Sequence, residues 1–447
     1  MEKQGFKTTA QYFSNAGTIW FILGIFFSII GNFELTNFLF KSSDVLWYGK
    51  LHPIILNVLI FGAILSYFFG AVFRELDQIN VDVIKPTIIG NATFGIYQFS
   101  LIFGLISLMY GYNQGRSYGE LNFITDNLFM LVFTIVVVLA LIYAKKSEKL
   151  TGSLQFMIVI LAGMMVTYFL GNFGFPNSYI TTVPPTSGFQ DAMVQGFYKT
   201  SIMVFFISLP LLFILYSTMK NLYIISDEEQ NFILPLMLIT LLTAFSAGVG
   251  LEKSAFSNFW TILGDYIYSA INILLLGIAF ILHNIYKEYK QQKPMILLSI
   301  SGTLLSIFFF YNFVVNLPII HQYFQYTLAD SLVLFNKLIY MILPIALVFN
   351  IVSNNSQKNL SNSVSMIILV LGVLVFLVFV IEGIMNALAI YGMNNNELAI
   401  KEWNQIVQKN MIFVYIRTII DIIIFGLSFY ILPFSIMEKQ IEQKKAA

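Results

Sequence analysis

A succession of long apolar runs limits this chain more than any other feature. Twelve stretches of roughly 18 or more mostly apolar residues lie at about 16–36, 51–73, 86–110, 125–144, 153–173, 198–217, 230–250, 259–284, 294–316, 331–352, 363–391 and 409–436. At a rise of about 1.5 Å per residue, each is long enough to cross a hydrocarbon core. In lipid, a helix satisfies all of its backbone polar groups internally. The pattern predicts an all-α integral membrane protein with about twelve transmembrane helices. Charged residues are 11% of the chain, against about a quarter in soluble domains. Too few polar groups exist to cover a water-facing surface, so the lipid bilayer is the expected partner. A net charge of +1 argues against nucleic acid.

No linker or low-complexity segment divides the chain, and no internal repeat stands out. Residues 1–447 are therefore expected to form a single membrane domain. Met1 to Asn15 is polar and the first apolar run is long, so the start reads as a retained span rather than a cleaved signal. The tail from Lys439 to Ala447 is expected to fray.

Orientation follows from Lys and Arg between the runs. On the N-terminal side lie fifteen: Lys3, Lys7, Arg74, Lys85, Lys145, Lys146, Lys149, Lys220, Lys287, Lys290, Lys293, Lys358, Lys439, Lys444 and Lys445. On the opposite side lie seven: Lys41, Lys50, Arg116, Lys199, Lys253, Lys401 and Lys409. The bias places both termini in the cytoplasm, in a bacterial-type inner membrane.

Five charges fall inside the runs: Asp265, Lys337, Glu382, Arg417 and Asp421. An unpaired charge near the bilayer centre costs roughly 2.5–3.5 kcal/mol on insertion scales, so these should face the bundle interior and find partners. All five sit in the outer half. Arg417 and Asp421, four apart, share a helix face. Lys337 and Glu382 lie at similar depths and are expected to pair. The set reads in two ways: ion pairs that fix helix packing, or a polar cavity for a proton, an ion or a ligand.

Chemistry is bounded by what is missing. Cysteine is absent, which removes disulfides, thiolate metal sites and cysteine nucleophiles. The only histidines are His52, His283 and His321. No phosphate-cradling glycine loop, hydrolase triad or zinc motif occurs. The scattered glycines read as helix-packing residues, and the many Phe and Met as lipid-facing and packing material.

Four segments carry a resemblance. They are Tyr48–Gly49–Lys50–Leu51–His52–Pro53 running into Ile54 to Phe61; NQGRSYGELNFITD at 113–126; SGFQDAMVQGFY at 187–198; and EGIMNAL at 382–388 with YIRTII around Arg417. In this order they resemble segments of the catalytic subunit (subunit 1) of the haem–copper oxidases, most closely the C-type (cbb-type) cytochrome c oxidases. The third segment is the most specific. The resemblance implies twelve helices holding two haems and a copper through six histidines, because imidazole nitrogen suits iron and copper. It also implies a tyrosine beside the copper that supplies a proton and an electron.

Only His52 matches one of these ligands, that of the low-spin haem. Where the family has the first copper ligand, preceded by glycine, stand Lys199 and Thr200. The other two copper ligands are replaced by Gly250 and Leu251, the tyrosine by Ala244, and the two remaining haem ligands by Val333 and Phe335. Five of six metal-ligand histidines are thus absent, and Lys337 falls where the haem pocket would be.

The resemblance then implies a divergent member, non-catalytic or with a single haem, in an accessory, regulatory, assembly or sensing role in respiratory metabolism. Its sensed molecule would be a small apolar gas or a quinone, and other respiratory subunits would be its partners. Expected cofactors are none or one haem b on His52, with no copper. The alternatives are a transporter or proton/ion-conducting protein using the five intramembrane charges, and an oxidoreductase with an unconventional metal site. For His52 the plain reading is a helix-start histidine bonded to a neighbour; for His283, a solvated cap; for His321, an outer-loop residue. Glu120 matches an acidic residue of the family's outer loop and reads here as a solvated carboxylate.

Overall fold

The computed structural model describes residues 6–35, 48–79, 86–112, 114, 119–147, 151–176, 182–183, 188–222, 232–246, 258–287, 295–320, 338–349, 362–396 and 411–428. Ten helices among them are long and apolar enough to cross a membrane, and two shorter apolar helices accompany them. In chain order they are α1 (Lys7–Leu35), α2 (Tyr48–Gln78), α3 (Pro86–Met109), α4 (Phe123–Lys146), α5 (Gly152–Asn172), α6 (Gln190–Asn221), α7 (Ile233–Ala244), α8 (Asn258–Lys287), α9 (Met295–Val315), α10 (Leu338–Phe349), α11 (Asn362–Asn396) and α12 (Met411–Ser428). Each coincides with one of the twelve expected runs. After α5, two-residue strands Phe175–Pro176 and Thr182–Val183 pair antiparallel. The protein is an all-α, multi-pass membrane protein.

The helices differ sharply in burial. The apolar window of α2 is wholly buried, and α6 is nearly so. Every residue of α10 is buried. These three carry apolar residues all round, and a helix of that kind belongs inside. The remaining long helices are buried over half of their apolar window or less. Their free sides carry large apolar residues. On α11, Ile367, Val370, Leu374, Leu377, Ile381 and Ile384 are exposed. Spaced three or four apart, they form one lipid-facing stripe. Every fourth helix of the chain is therefore interior, a regularity that hydropathy alone does not display.

Sequence neighbours pack on one another: α1 on α2, α3 on α4, α4 on α5, α5 on α6, α7 on α8 and α8 on α9. Longer connections join α2 to α6 and α9 to α11. The first and last described helices meet where Phe26 of α1 lies 6.1 Å from Phe425 of α12, ring centre to ring centre.

Glycines set the closest approach. On α1, Gly17, Gly24 and Gly31 recur every seventh residue and face α2. A side-chain carbon on Gly17 would lie 3.0 Å from Cγ of Tyr67, and one on Gly31 would lie 3.1 Å from Cδ1 of Ile55. Small residues let membrane helices gain contact at short range where no hydrophobic drive exists.

The two long interior helices also depart from α geometry. α2 is π-helical over Val58–Ile64, and α6 over Ile202–Ser208. In α6 the N–H of Leu209 bonds the carbonyl of Val204. The stretch ends just before Pro210, which lacks an N–H and whose ring clashes with a regular α ladder. The two π stretches touch each other at the centre of the bundle, with Phe61 and Phe206 ring centres 5.6 Å apart.

Candidate functional site

The densest set of buried charge lies where α1, α11 and α12 meet. Successive helices alternate in direction, so residues late in α1 and early in α12 share one end of the bundle, opposite to Lys7. There Nη1 of Arg417 donates to Oε2 of Glu382 in a buried ion pair. The guanidinium lies over the ring of Phe379, its carbon 5.9 Å from the centroid. One turn on, Asp421 is fully buried and accepts from Ser28 Oγ and from Asn32 Nδ2, each at 3.3 Å. The site thus comprises one guanidinium, two carboxylates and the polar face of α1.

Three polar atoms here have no hydrogen-bond partner among the described residues: Arg417 Nη2, Tyr340 Oη and Tyr48 Oη. Tyr48 is within electrostatic range of Arg417, and Tyr340 of Asp421. Leaving a buried donor unsatisfied costs about 1–3 kcal/mol. Next to this cluster, between α9, α10 and α11, lies an apolar cleft of about 40 Å³. Tyr340 and Phe379 are among its walls.

The expected charges are therefore only partly brought together. Glu382, Arg417 and Asp421 form one cluster, and Arg417 and Asp421 share a face as their spacing requires. Glu382 pairs with Arg417. Lys337, its expected partner, lies outside the described residues, as do His321, Gly250, Leu251, Val333 and Phe335. Asp265 is buried on α8, which packs against α6, α7 and α9. His52 sits in the first turns of α2, half-buried, with its ring 5.8 Å from that of Tyr48, and so at the same end as the cluster. His283 is not a fully solvated cap: it is half-buried on α8, against Gly302 of α9.

Two buried networks were not expected from the sequence. At the end of the bundle near Lys7, Glu75 of α2 is held by Lys220 Nζ of α6 at 2.6 Å and by Ser217 Oγ at 2.6 Å. Lys220 also donates to Ser153 Oγ of α5 at 3.1 Å. A count of loop cations places Lys220 in water, whereas its side chain is only 17% exposed. At the opposite end, Glu120 is buried rather than solvated and accepts from Asn57 Nδ2 at 3.2 Å. Nearby, Asp126 accepts from Tyr168 Oη at 2.7 Å and from Gln114 Nε2 at 2.8 Å. The available signal was an acid at or beside the end of an apolar helix, which marks a candidate but not its partner.

The residues present do not fit a binuclear haem–copper centre. Thr200 is buried and its hydroxyl returns to the carbonyl of Gly196 on its own helix. His52 and His283 are at opposite ends of the bundle, because α2 and α8 run in the same direction and carry them at their starts and ends respectively. Among the described residues no group of three or more His, Cys, Asp or Glu side chains could hold a metal ion. Rings pack between the interior helices in the half of α2 away from His52: Phe68 and Phe213 are 5.5 Å apart, and Tyr67 and Phe349 6.1 Å. His52 is one half-buried imidazole at the start of α2.

Fold and site define a polytopic helical membrane protein with a cluster of buried charge at one end. No family model matches the chain. Two curated proteins are similar to part of it. Cytochrome c oxidase subunit 1 of Rhodobacter capsulatus is 24% identical over 210 residues, which are 45% of this chain and 39% of that protein. The Cbb3-type cytochrome c oxidase subunit CcoN1 of Stutzerimonas stutzeri is 22% identical over 215 residues, 47% of this chain and 45% of that protein. The chain thus spans less than half the length of the curated relatives it matches, and the similarity to cytochrome c oxidase subunit 1 is distant.

Proposed function

We propose that this chain keeps an oxidase subunit 1-like helical frame without the haem–copper catalytic centre, and serves a respiratory membrane as an accessory or sensing protein. What supports this reading is the scarcity of histidine in the sequence together with the side-chain packing of the bundle. The interior helices meet through aromatic rings, and the end of the bundle that carries His52 also holds Glu382, Arg417 and Asp421. In this reading the protein sits in the bacterial inner membrane with both termini in the cytoplasm, beside other respiratory subunits. It carries no copper and at most one haem b, on His52.

The test is a pyridine haemochrome spectrum with metal analysis on detergent-purified protein, beside His52→Ala. At most one haem per chain, lost in His52→Ala, and no copper is the expected result. Two haems and a copper per chain would overturn the proposal and restore oxygen reduction.

A second reading has its own observation. Glu382 and Asp421 are buried ionisable groups on two helices, the usual place for a proton or ion relay. Proteoliposome flux that Glu382→Gln abolishes would support conduction; flux unchanged by it would remove that reading.

A further inference from the structure

We propose that α2 carries a one-residue register shift latched by the hydroxyl of Tyr97, and that release of this latch turns the half of α2 bearing Tyr48, His52 and Asn57 about its axis.

The shift is visible in the backbone. In a regular α-helix the N–H of Leu65 would bond the carbonyl of Phe61. In α2 it bonds the carbonyl of Ile60 instead. The π stretch Val58–Ile64 therefore takes up one residue more than an α-helix of the same length. The carbonyl of Phe61 is passed over, and the bilayer core offers it no water. Tyr97 of α3 supplies a donor: its buried hydroxyl bonds that oxygen. Leu65 N–H and Tyr97 Oη thus compete for one acceptor, and whichever holds it sets the register.

No proline forces the π stretch of α2. Pro210 directly follows the one in α6, whereas Pro53 precedes that of α2 and removes an N–H only from the turn before it. Contacts from α3 hold the stretch instead. The ring of Tyr97 is fixed among Phe13, Phe69 and Phe129, whose centres are 5.9, 5.2 and 5.1 Å away. The next residue, Gln98, accepts from Trp20 Nε1 at 2.7 Å and donates to Ser66 Oγ at 3.4 Å. Two consecutive side chains of α3 bracket the return from π to α.

The two halves of α2 answer to different neighbours. Glu75 ties one half to Lys220 and Ser217 of α6, each at 2.6 Å. In the other half, the present register brings Asn57 Nδ2 to Glu120 at 3.2 Å. A straight α register would turn that half by about 100° and shift it by about 1.5 Å. Leu56 would then take the place of Ile55, and Val58 that of Asn57, so Glu120 would face an apolar side chain. Tyr48 and His52 would turn with them, at the end of the bundle that holds Arg417.

The experiment uses full-length protein in detergent and has two readouts. The first is a cycle of Tyr97→Phe with deletion of Ala63, read as the rate of unfolding in SDS. Tyr97→Phe should speed unfolding about tenfold in the unaltered chain, because it orphans a buried carbonyl. Deletion of Ala63 removes the extra residue and gives Phe61 back its α partner, so there Tyr97→Phe should change the rate less than about twofold. Deletion of Val72, in the α part of α2, should prevent folding. The second readout is disulfide formation, for which the chain has no cysteine of its own. A side-chain carbon at Gly31 would lie 3.1 Å from Ile55 Cδ1. Under oxidant, Gly31→Cys should therefore join Ile55→Cys rather than Leu56→Cys, as read by mass spectrometry of digested protein. Adding Tyr97→Phe should raise the Leu56→Cys product at least fivefold. Deletion of Ala63 as damaging as deletion of Val72, an equal effect of Tyr97→Phe with and without Ala63, or an unchanged disulfide preference would each overturn the proposal.

Discussion

The ion pair between Arg417 and Glu382 allows the sharpest prediction about stability. Removing Glu382 as Glu382→Leu leaves the buried guanidinium with Asp421 as its nearest carboxylate, and breaking a buried pair in this way costs about 3–5 kcal/mol. Arg417→Leu should cost at least as much, because it strips the cation from two buried carboxylates at once. The double variant removes the pair but keeps Asp421 hydrogen-bonded to Ser28 and Asn32, so it should lose less than the sum of the singles. The coupling energy should be about 2–3 kcal/mol, in the upper range for groups in one network. Unfolding by SDS titration of mixed micelles, followed by circular dichroism, gives the four free energies of the cycle. Thiol-reactive dyes cannot be used, because the chain has no cysteine. Single losses that add within about 0.5 kcal/mol would refute the reasoning, since the two side chains would then not depend on each other.

Other perturbations follow from the same geometry. Lys220→Met leaves Glu75 buried without its cation, and with Ser217 still bonded to it the loss should be about 3 kcal/mol by the same SDS titration; a loss under about 1 kcal/mol would mean that water reaches Glu75. Gly17→Ala places a methyl group against the ring of Tyr67, whose hydroxyl is 2.8 Å from Thr18 Oγ1. That hydrogen bond stops the ring from yielding, so overpacking of about 1–3 kcal/mol is expected. The control Gly95→Ala meets nothing within 4 Å and should be neutral.

Some features of these charges follow from sequence position and others only from packing, for a physical reason. Depth along a helix follows from counting residues, so it was legible in advance that Asp421 and Arg417 share the end of the bundle away from Lys7. Direction around the bundle axis does not follow from counting. By residue count, Lys337 and Arg417 both suit Glu382; the packing of α11 against α12 brings Arg417 to it, and Lys337 lies outside the described residues. For Glu75 and Lys220 the obstacle was different: 145 residues separate them, and each looked like an ordinary charge at a helix end. Glu120 failed similarly, since a loop acid reads as solvated until the fold closes over it and supplies Asn57.

The sequence by itself determined that the chain is helical, crosses the membrane many times and lacks most of the histidines that a haem–copper centre requires. It could do so because lipid imposes one rule on every span, that apolar side chains face outward and backbone groups are satisfied within the helix. Only the tertiary structure decided that α2, α6 and α10 lie inside, that their rings meet where the helices pack, and that Glu382, Arg417 and Asp421 gather at one end of the bundle. Those facts depend on which helix faces which, and that choice is made by glycine spacing, ring packing and charge pairing between residues far apart in the chain.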